Sequence, residues 1–326
     1  MFSFLALALL AAPGEVEPVI LGEGHVLAWR THALQSGASP RIERAYIMVH
    51  GTNRNAEQYF RWTLASALVA GKLETTAVVA PHFKARTAAG RGDDVAPGEW
   101  YWTNDAWKTG GAAMNGKITS YDVMDRILEC FNDPERFPGL KEVVVAGHSA
   151  GGQYVQRYAA ANTMEPRMRV PVRYVVANPS SYLYLNELRL TSGATCSEKG
   201  GCTGSFVKYW DAANCTAYND YRYGLEKLTG FAARLTAGQI REQFAGRKVT
   251  YLVGELDTRT DDASLDRTCP ANAQGANRRE RGTIFWNYMK SQYGAAHELA
   301  VAPGCGHSAV CVFAGPAGVK AVFGGR

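Results

Sequence analysis

Residues 142–152 read Glu142-Val-Val-Val-Ala-Gly147-His148-Ser149-Ala150-Gly151-Gly152, and a helical pattern follows from about Gln153. An apolar, β-branched run broken by glycines and continued with helical spacing describes a strand, a sharp turn and a helix. A serine at the apex of so tight a turn has a strained backbone, and side chains two positions before or after it would collide with the neighbouring strand or helix. Gly147 and Gly151 remove that collision. The Gly-x-Ser-x-Gly pentapeptide alone arises by chance in many chains. Its flanking strand and helix are what point to a serine hydroxyl presented at the carboxyl end of a strand.

On either side of this turn the chain repeats the same alternation. Short β-branched or apolar runs occupy 45–49, 76–80, 142–146, 172–177, 249–253 and 298–302, with helical spacing at 56–68, 120–130, 152–161 and 279–293. Strands that alternate with helices specify an α/β domain whose mostly parallel sheet is covered on both faces. Residues 22–30 add an antiparallel strand or two at one edge. Two long segments depart from the alternation, and such connections are usually functional or disordered. Residues 91–117 carry Trp100, Tyr101, Trp102 and Trp107 among glycines, which predicts an ordered loop that either rims a pocket or packs on the core. Residues 180–247 hold Tyr182, Tyr184, Tyr209, Trp210, Tyr218, Tyr221 and Tyr223 with three cysteines, which predicts a cross-linked cap inserted in the domain.

The chain has 326 residues, of which 46% are hydrophobic and 20% charged, a balance that fits one large globular domain and excludes coiled-coil, collagen-like and disordered chains. Its formal charge of +5 comes with no long basic run, so nucleic acid is not expected as a partner. Arg278, Arg279 and Arg281 are the densest cations; interleaved with Glu280 on a helical pattern, they read as a solvated face. The apolar stretch within residues 1–12 is too short for a bilayer, which takes about 20 residues, and it fits the apolar region of an export signal. It lacks a preceding Lys or Arg, so an N-terminal helix that stays attached is the alternative. The expectation is a secreted or periplasmic protein without a stable membrane anchor, with residues 13–326 as its catalytic domain. Seven cysteines agree with an oxidising compartment: Cys196, Cys202 and Cys215 crowd one stretch, and Cys269, Cys305 and Cys311 lie near the end. Cys130, on an amphipathic helix, is the candidate free thiol. Two or three disulfides are expected, and a metal site at Cys305, His307 and Cys311 is the weaker reading because no second ligand pair accompanies it.

A serine hydroxyl is a poor nucleophile at neutral pH, so a base must take its proton and an acid must orient that base. With a serine elbow, the acid and then the histidine follow later in the chain, on turns after later strands. Asp257 follows the run 249–253 through a short Gly254-Glu-Leu turn, and His307 follows 298–302 through Pro303-Gly-Cys-Gly306. Glu255, Asp261, Asp262 and Asp266 are alternative acids, of which Asp257 fits the strand end best. His297 precedes its strand and belongs at the opposite sheet edge, His148 packs inside the elbow, and His25, His32 and His82 have no matching turn. Donors for an oxygen that becomes negative are expected from the Ala150 N–H and from the Thr52 N–H, the latter exposed by a turn at Gly51 after the strand 45–49. His50 is expected to orient that loop.

His50-Gly51, Gly147-His-Ser-Ala-Gly151, Asp257 and His307, in this order, resemble the α/β-hydrolase superfamily in its serine esterase and lipase branch. The resemblance implies an eight-stranded, mostly parallel sheet with helices on both faces, a Ser149/His307/Asp257 triad at its carboxyl edge, an acyl-enzyme intermediate and no cofactor. The strings Ser120-Tyr-Asp-Val-Met-Asp125 and Gly151-Gly-Gln-Tyr-Val-Gln-Arg157 are similar to secreted hydrolases of undefined substrate. Thr52-Asn53 replaces the extended His-Gly-Gly-Gly loop of some lipases, so no bulky-substrate preference carries over. The expected activity is hydrolysis of a small carboxylic ester, acyl or aryl. An amidase or peptidase would use the same residues, and a non-catalytic binding module is disfavoured because no triad member is missing.

Overall fold

The alternation of strands and helices folds, in a computed structural model that describes residues 15–324, into one eight-stranded sheet. Strands β1 (Glu15–Leu21) and β2 (Gly24–Arg30) form an antiparallel hairpin, followed by β3 (Arg44–Val49), α1 (Ala56–Val69) and β4 (Thr76–Pro81). After a long connection come α2 (Ser120–Asn132), β5 (Glu142–His148), α3 (Ala150–Ala161) and β6 (Val172–Ala177). The segment between β6 and the next sheet strand carries a small ribbon, β7 (Leu188–Leu190) with β8 (Phe206–Lys208), and then α4 (Ala237–Gly246). The chain closes with β9 (Val249–Gly254), α5 (Cys269–Asn272), α6 (Arg278–Tyr293), β10 (Glu298–Ala302), α7 (Ala309–Ala314) and α8 (Pro316–Phe323). The apolar segment expected to direct export lies outside the described residues.

The sheet order is β1-β2-β4-β3-β5-β6-β9-β10, antiparallel only where β2 meets β1 and β4. Alternation along each strand divides the core. Val143 and Val145 of β5 pack with Met124, Ile127, Tyr154, Val155 and Phe285 from α2, α3 and α6, whereas Val144 and Ala146 pack with Tyr59, Val312 and Val322 from α1, α7 and α8. Burial on both faces explains why β5 runs apolar from Val143 to Ala146, each buried valine contributing about 1.5–3 kcal/mol. Helix starts are fixed locally: Thr119 with Asp122 and Thr236 with Gln239 form capping boxes at α2 and α4, and Asn277 accepts from the Glu280 N–H at α6. The parallel register matters for function. Val49 faces Gly147, His148 faces Ala177 and Ala302 faces Gly254, so the turns after β3, β5, β6, β9 and β10 leave the sheet along one edge.

The tryptophans of residues 91–117 serve packing: Trp102 and Trp107 are fully buried, and Trp107 lies 4.8 Å from His50 and stacks on Phe83. In the segment between β6 and β9, Tyr182 and Tyr184 pack on Phe285 of α6, and Cys215–Cys269 ties the segment to α5. Cys196–Cys202 and Cys305–Cys311 complete three disulfides, and Cys130 is a buried free thiol, as its helical position suggested. Tyr221 Oη donates to Thr109 O at 2.6 Å and Arg222 pairs with Asp105 at 2.7 Å, which joins this segment to the tryptophan-bearing loop. Helix α4 was not anticipated, because only Ile240 and Phe244 of its residues are buried.

The reading of Arg278 and Arg281 as a solvated face is overturned, since both are fully buried. Helix α6 is enclosed on most sides, and its guanidinium donors find acceptors elsewhere in the chain. Arg281 donates to the carbonyls of Gly275, Ser180 and Asp266, and Arg278 to Asp262, Ser264 and Ser180. Arg279, half-buried, pairs with Glu198 at 2.7 Å.

Candidate active site

Ser149 sits at the junction of β5 and α3 with φ 57° and ψ −119°, a left-handed conformation for a residue with a side chain. Such a backbone costs on the order of 1–3 kcal/mol and persists only where its surroundings enforce it. Here its N–H donates to Ala177 O at 2.9 Å and its carbonyl accepts from Gln153 N at 3.0 Å. The glycines around it are required by space. A Cβ on Gly147 would fall on the Gly151 carbonyl, one on Gly151 on the carbonyls of Val49 and His50, and one on Gly152 on that of Ala177.

His307 and Asp257 arrive from the turns after β10 and β9. His307 Nε2 lies 3.0 Å from Ser149 Oγ, and its Nδ1 lies 2.7 Å from Asp257 Oδ2. The carboxylate is 3% exposed, the imidazole 20%, and Ser149 as a residue 6%, so the line opens to solvent at its histidine end. In this arrangement a hydroxyl proton can pass to Nε2 while the carboxylate keeps the other nitrogen protonated. The two turns are fastened back to back: Leu256 N donates to Cys305 O at 2.8 Å, and the disulfide Cys305–Cys311 closes the loop that holds His307. The other candidate acids are engaged elsewhere. Glu255 accepts from Gly304 N at 2.7 Å, Asp261 pairs with Arg259, Asp262 with Arg278, and Asp266 accepts from Thr268 and Tyr223. Cys305 and Cys311, the thiols of the alternative metal reading, are bonded to each other.

The loop after β3 lies against the serine. A Cβ on Gly51 would come within 2.6 Å of Tyr59 Oη and 3.7 Å of Ser149 Cβ, so a larger residue there would have to displace the Tyr59 ring. The N–H groups of Thr52 and Ala150 have no hydrogen-bond acceptor among the described residues. His50 is fully buried, with Nδ1 2.9 Å from Gly51 O and Nε2 accepting from Phe83 N at 3.0 Å, so it braces the loop. Burial, assisted by nearby His82, lowers its pKa to about 3. His148 packs on His307 with ring centroids 4.6 Å apart and planes tilted by 36°, and meets Tyr59 Oη at 3.1 Å; burial, then the His307 charge, holds its pKa well below the ordinary value. His297 bonds Tyr251 Oη and Phe244 O at the far end of the sheet, and burial lowers its pKa to about 4.

These three buried, neutral histidines set an acid limit. Unfolding lets each bind a proton below its unfolded pKa near 6.5, so stability is full above that value and falls as pH drops toward the depressed folded values. Between pH 6.5 and 5.5 each is expected to remove about 1 kcal/mol from unfolding free energies measured in urea, and His297→Gln should flatten that slope by its share.

Two contributing residues escaped the sequence reading. Asn178, with φ 45°, accepts from Gly254 N at 2.9 Å and donates to Gly306 O at 3.5 Å, so one side chain connects the Asp257 and His307 turns. The Asn-Pro pair after β6 is a turn signal that pointed to it. Arg278 places Nη1 3.6 Å from Asp257 Oδ1.

Comparison with known proteins agrees with this architecture. A model of the Alpha/beta hydrolase family matches residues 46–322. Among solved structures, LpqC, a poly(3-hydroxybutyrate) depolymerase from Bordetella parapertussis, superposes with a TM-score of 0.62 at 19% identity, covering 98% of this chain and 93% of that one. Poly(aspartic acid) hydrolase-1 from Sphingomonas sp. KT-1 gives 0.62 at 21% identity, covering 95% and 99%. No curated protein matches the chain. With the matched region spanning β3 to α8 and including the serine elbow and both later turns, the chain belongs to the alpha/beta hydrolase family.

Proposed function

We propose that the protein is an exported serine hydrolase that cleaves carboxylic esters of small acyl or aryl compounds. The observation that carries this reading is the hydrogen-bonded line Ser149–His307–Asp257 at a strained strand-to-helix turn. Ser149 Oγ attacks the ester carbonyl as His307 Nε2 takes its proton, and Asp257 holds the resulting imidazolium. The carbonyl oxygen, now negative, turns to the N–H groups of Thr52 and Ala150, where each such donor contributes about 2.7–4 kcal/mol to the transition state. His307 returns the proton to the departing alkoxide and leaves Ser149 acylated. Water, deprotonated by His307, then adds to the acyl-enzyme; the bond to Ser149 Oγ breaks as His307 returns the proton to that oxygen, and the carboxylic acid leaves. No cofactor takes part in these steps. The low exposure of Ser149 supports a small, partly covered substrate rather than a polymer lying on an open face.

Export is supported by the three disulfides among the described residues, which suit an oxidising compartment, and no helix of the described residues is long and apolar enough to cross a membrane.

A fluorophosphonate probe is expected to label the wild type and to leave Ser149→Ala unlabelled; labelling of the alanine variant would remove Ser149 from the reaction. Rates on p-nitrophenyl esters should exceed those on matched anilides, and the reverse order would make the enzyme an amidase. The Cys305–Cys311 clamp gives a third expectation. Cys311→Ser should lower kcat by about tenfold through a loosened His307 loop, since small misplacements of a reacting group are costly. Unchanged turnover would show that the loop holds without its cross-link.

A further inference from the structure

We infer that Arg278 is a positioning residue for the proposed reaction: a buried guanidinium, anchored from behind by Asp262, that holds the Asp257 carboxylate against His307 and favours the neutral imidazole. The inference rests on the roles proposed above for Ser149, His307 and Asp257.

The geometry divides the Asp257 carboxylate between two partners. Oδ2 is engaged by His307 at 2.7 Å, while Oδ1 faces Arg278 Nη1 at 3.6 Å. Arg278 is fully buried, and each of its other nitrogens is engaged: Nη2 donates to Asp262 Oδ1 at 3.0 Å and Ser264 Oγ at 2.8 Å, and Nε to Ser180 Oγ at 3.3 Å. Nη1 has no hydrogen-bond partner among the described residues. At 3.6 Å it acts on the carboxylate through charge, and inside the protein such an interaction is weakly screened. The same helix end grips the acid turn by its backbone, with Arg279 N donating to Asp257 O at 3.2 Å and Arg279 Nη1 to Glu255 O at 2.9 Å.

The result is a row of alternating charge, Asp262, Arg278, Asp257 and the imidazole that becomes positive. Other titratable groups facing it are His148, packed on His307, Arg281 of the same helix, and the hydroxyl of Tyr182. Asp262 remains anionic, because hydrogen bonds from Ser264 and then from Arg278 hold it far below the usual carboxylate range. Its negative charge restrains Arg278 and partly offsets the guanidinium's influence on His307. Removing Arg278 and removing Asp262 should therefore act on the histidine with opposite signs.

That opposition is the test. On full-length protein, the acid limb of kcat/KM for p-nitrophenyl butyrate is recorded for wild type, Arg278→Met, Arg278→Lys and Asp262→Asn. Arg278→Met is expected to raise the limb by about half to one pH unit, Arg278→Lys to return it toward wild type, and Asp262→Asn to lower it by about half a unit. Both charge-removing variants moving the limb the same way, or neither moving it by more than about 0.2 unit, would overturn the inference, because a purely structural arginine lowers kcat without that signature. If Arg278→Met does not fold, Asp262→Asn, whose side chain is one-quarter exposed, decides alone: an unmoved or raised limb overturns it. Failure of the parent reading looks different, since esterase activity would then survive Ser149→Ala.

Discussion

Asp257→Asn is expected to lower kcat by about four orders of magnitude with little change in KM. Asp257 Oδ2 accepts from His307 Nδ1 at 2.7 Å, and that bond fixes which imidazole nitrogen carries the proton. An asparagine keeps the shape but can turn an amide N–H toward Nδ1. The histidine then carries its proton on Nε2, 3.0 Å from Ser149 Oγ, and donates where it must accept. The fold should survive, because Arg278 keeps Asp262 as a counter-charge, and a loss of about 1–2 kcal/mol is the expected cost in urea unfolding. Glu255→Gln is the matched comparison. Its carboxylate caps Gly304 N from outside the reacting line, so turnover should stay within about threefold of wild type, a difference of well under 1 kcal/mol in barrier. A fall of less than tenfold for Asp257→Asn, or a larger fall for Glu255→Gln, would assign the acid wrongly.

The parts of this molecule that were legible in the sequence share one physical property: their conformation is set by neighbours a few residues away. The strands at 172–177 and 298–302 coincide with β6, inside the sheet, and β10, at its edge, because both are short, mostly apolar runs ended by Asn178 or Pro303. Ser149, Asp257 and His307 could be placed together because each follows a strand directly, and parallel strands deliver their following turns to one sheet edge. Arg278 fails that condition. In a local window it is a cation in a charged helix start, and its burial depends on Ser180, almost a hundred residues earlier, and on Asp257 and Asp262 in a different turn. The same holds for Trp107, whose place against His50 was set by the sheet and not by its own stretch of sequence. Asn178 is intermediate: the turn was marked locally, while its bonds to Gly254 and Gly306 required the tertiary fold.

Gly151→Ala is expected to destabilise the protein by more than about 3 kcal/mol, a large effect for one methyl group. A Cβ at this position would lie on the carbonyls of Val49 and His50, which are backbone atoms at the end of β3 and cannot rotate away as a side chain would. Relief requires α3 and the loop after β3 to separate, and that loop carries Thr52 while α3 begins with Ala150. Molecules that do fold should therefore show kcat lower by about a hundredfold or more, because donors displaced by even 1 Å lose much of their hold on a developing charge. Gly246→Ala is the counterpart at the end of α4, where nothing lies within 4 Å of the added carbon. There the substitution should be neutral or stabilising by up to about 1 kcal/mol, since alanine is the better helix former. Urea midpoints and ester turnover measured on the pair separate steric contact at the elbow from the general effect of replacing a glycine. Equal stabilities would mean that the close approach of β3 to α3 is not the constraint that shapes this turn.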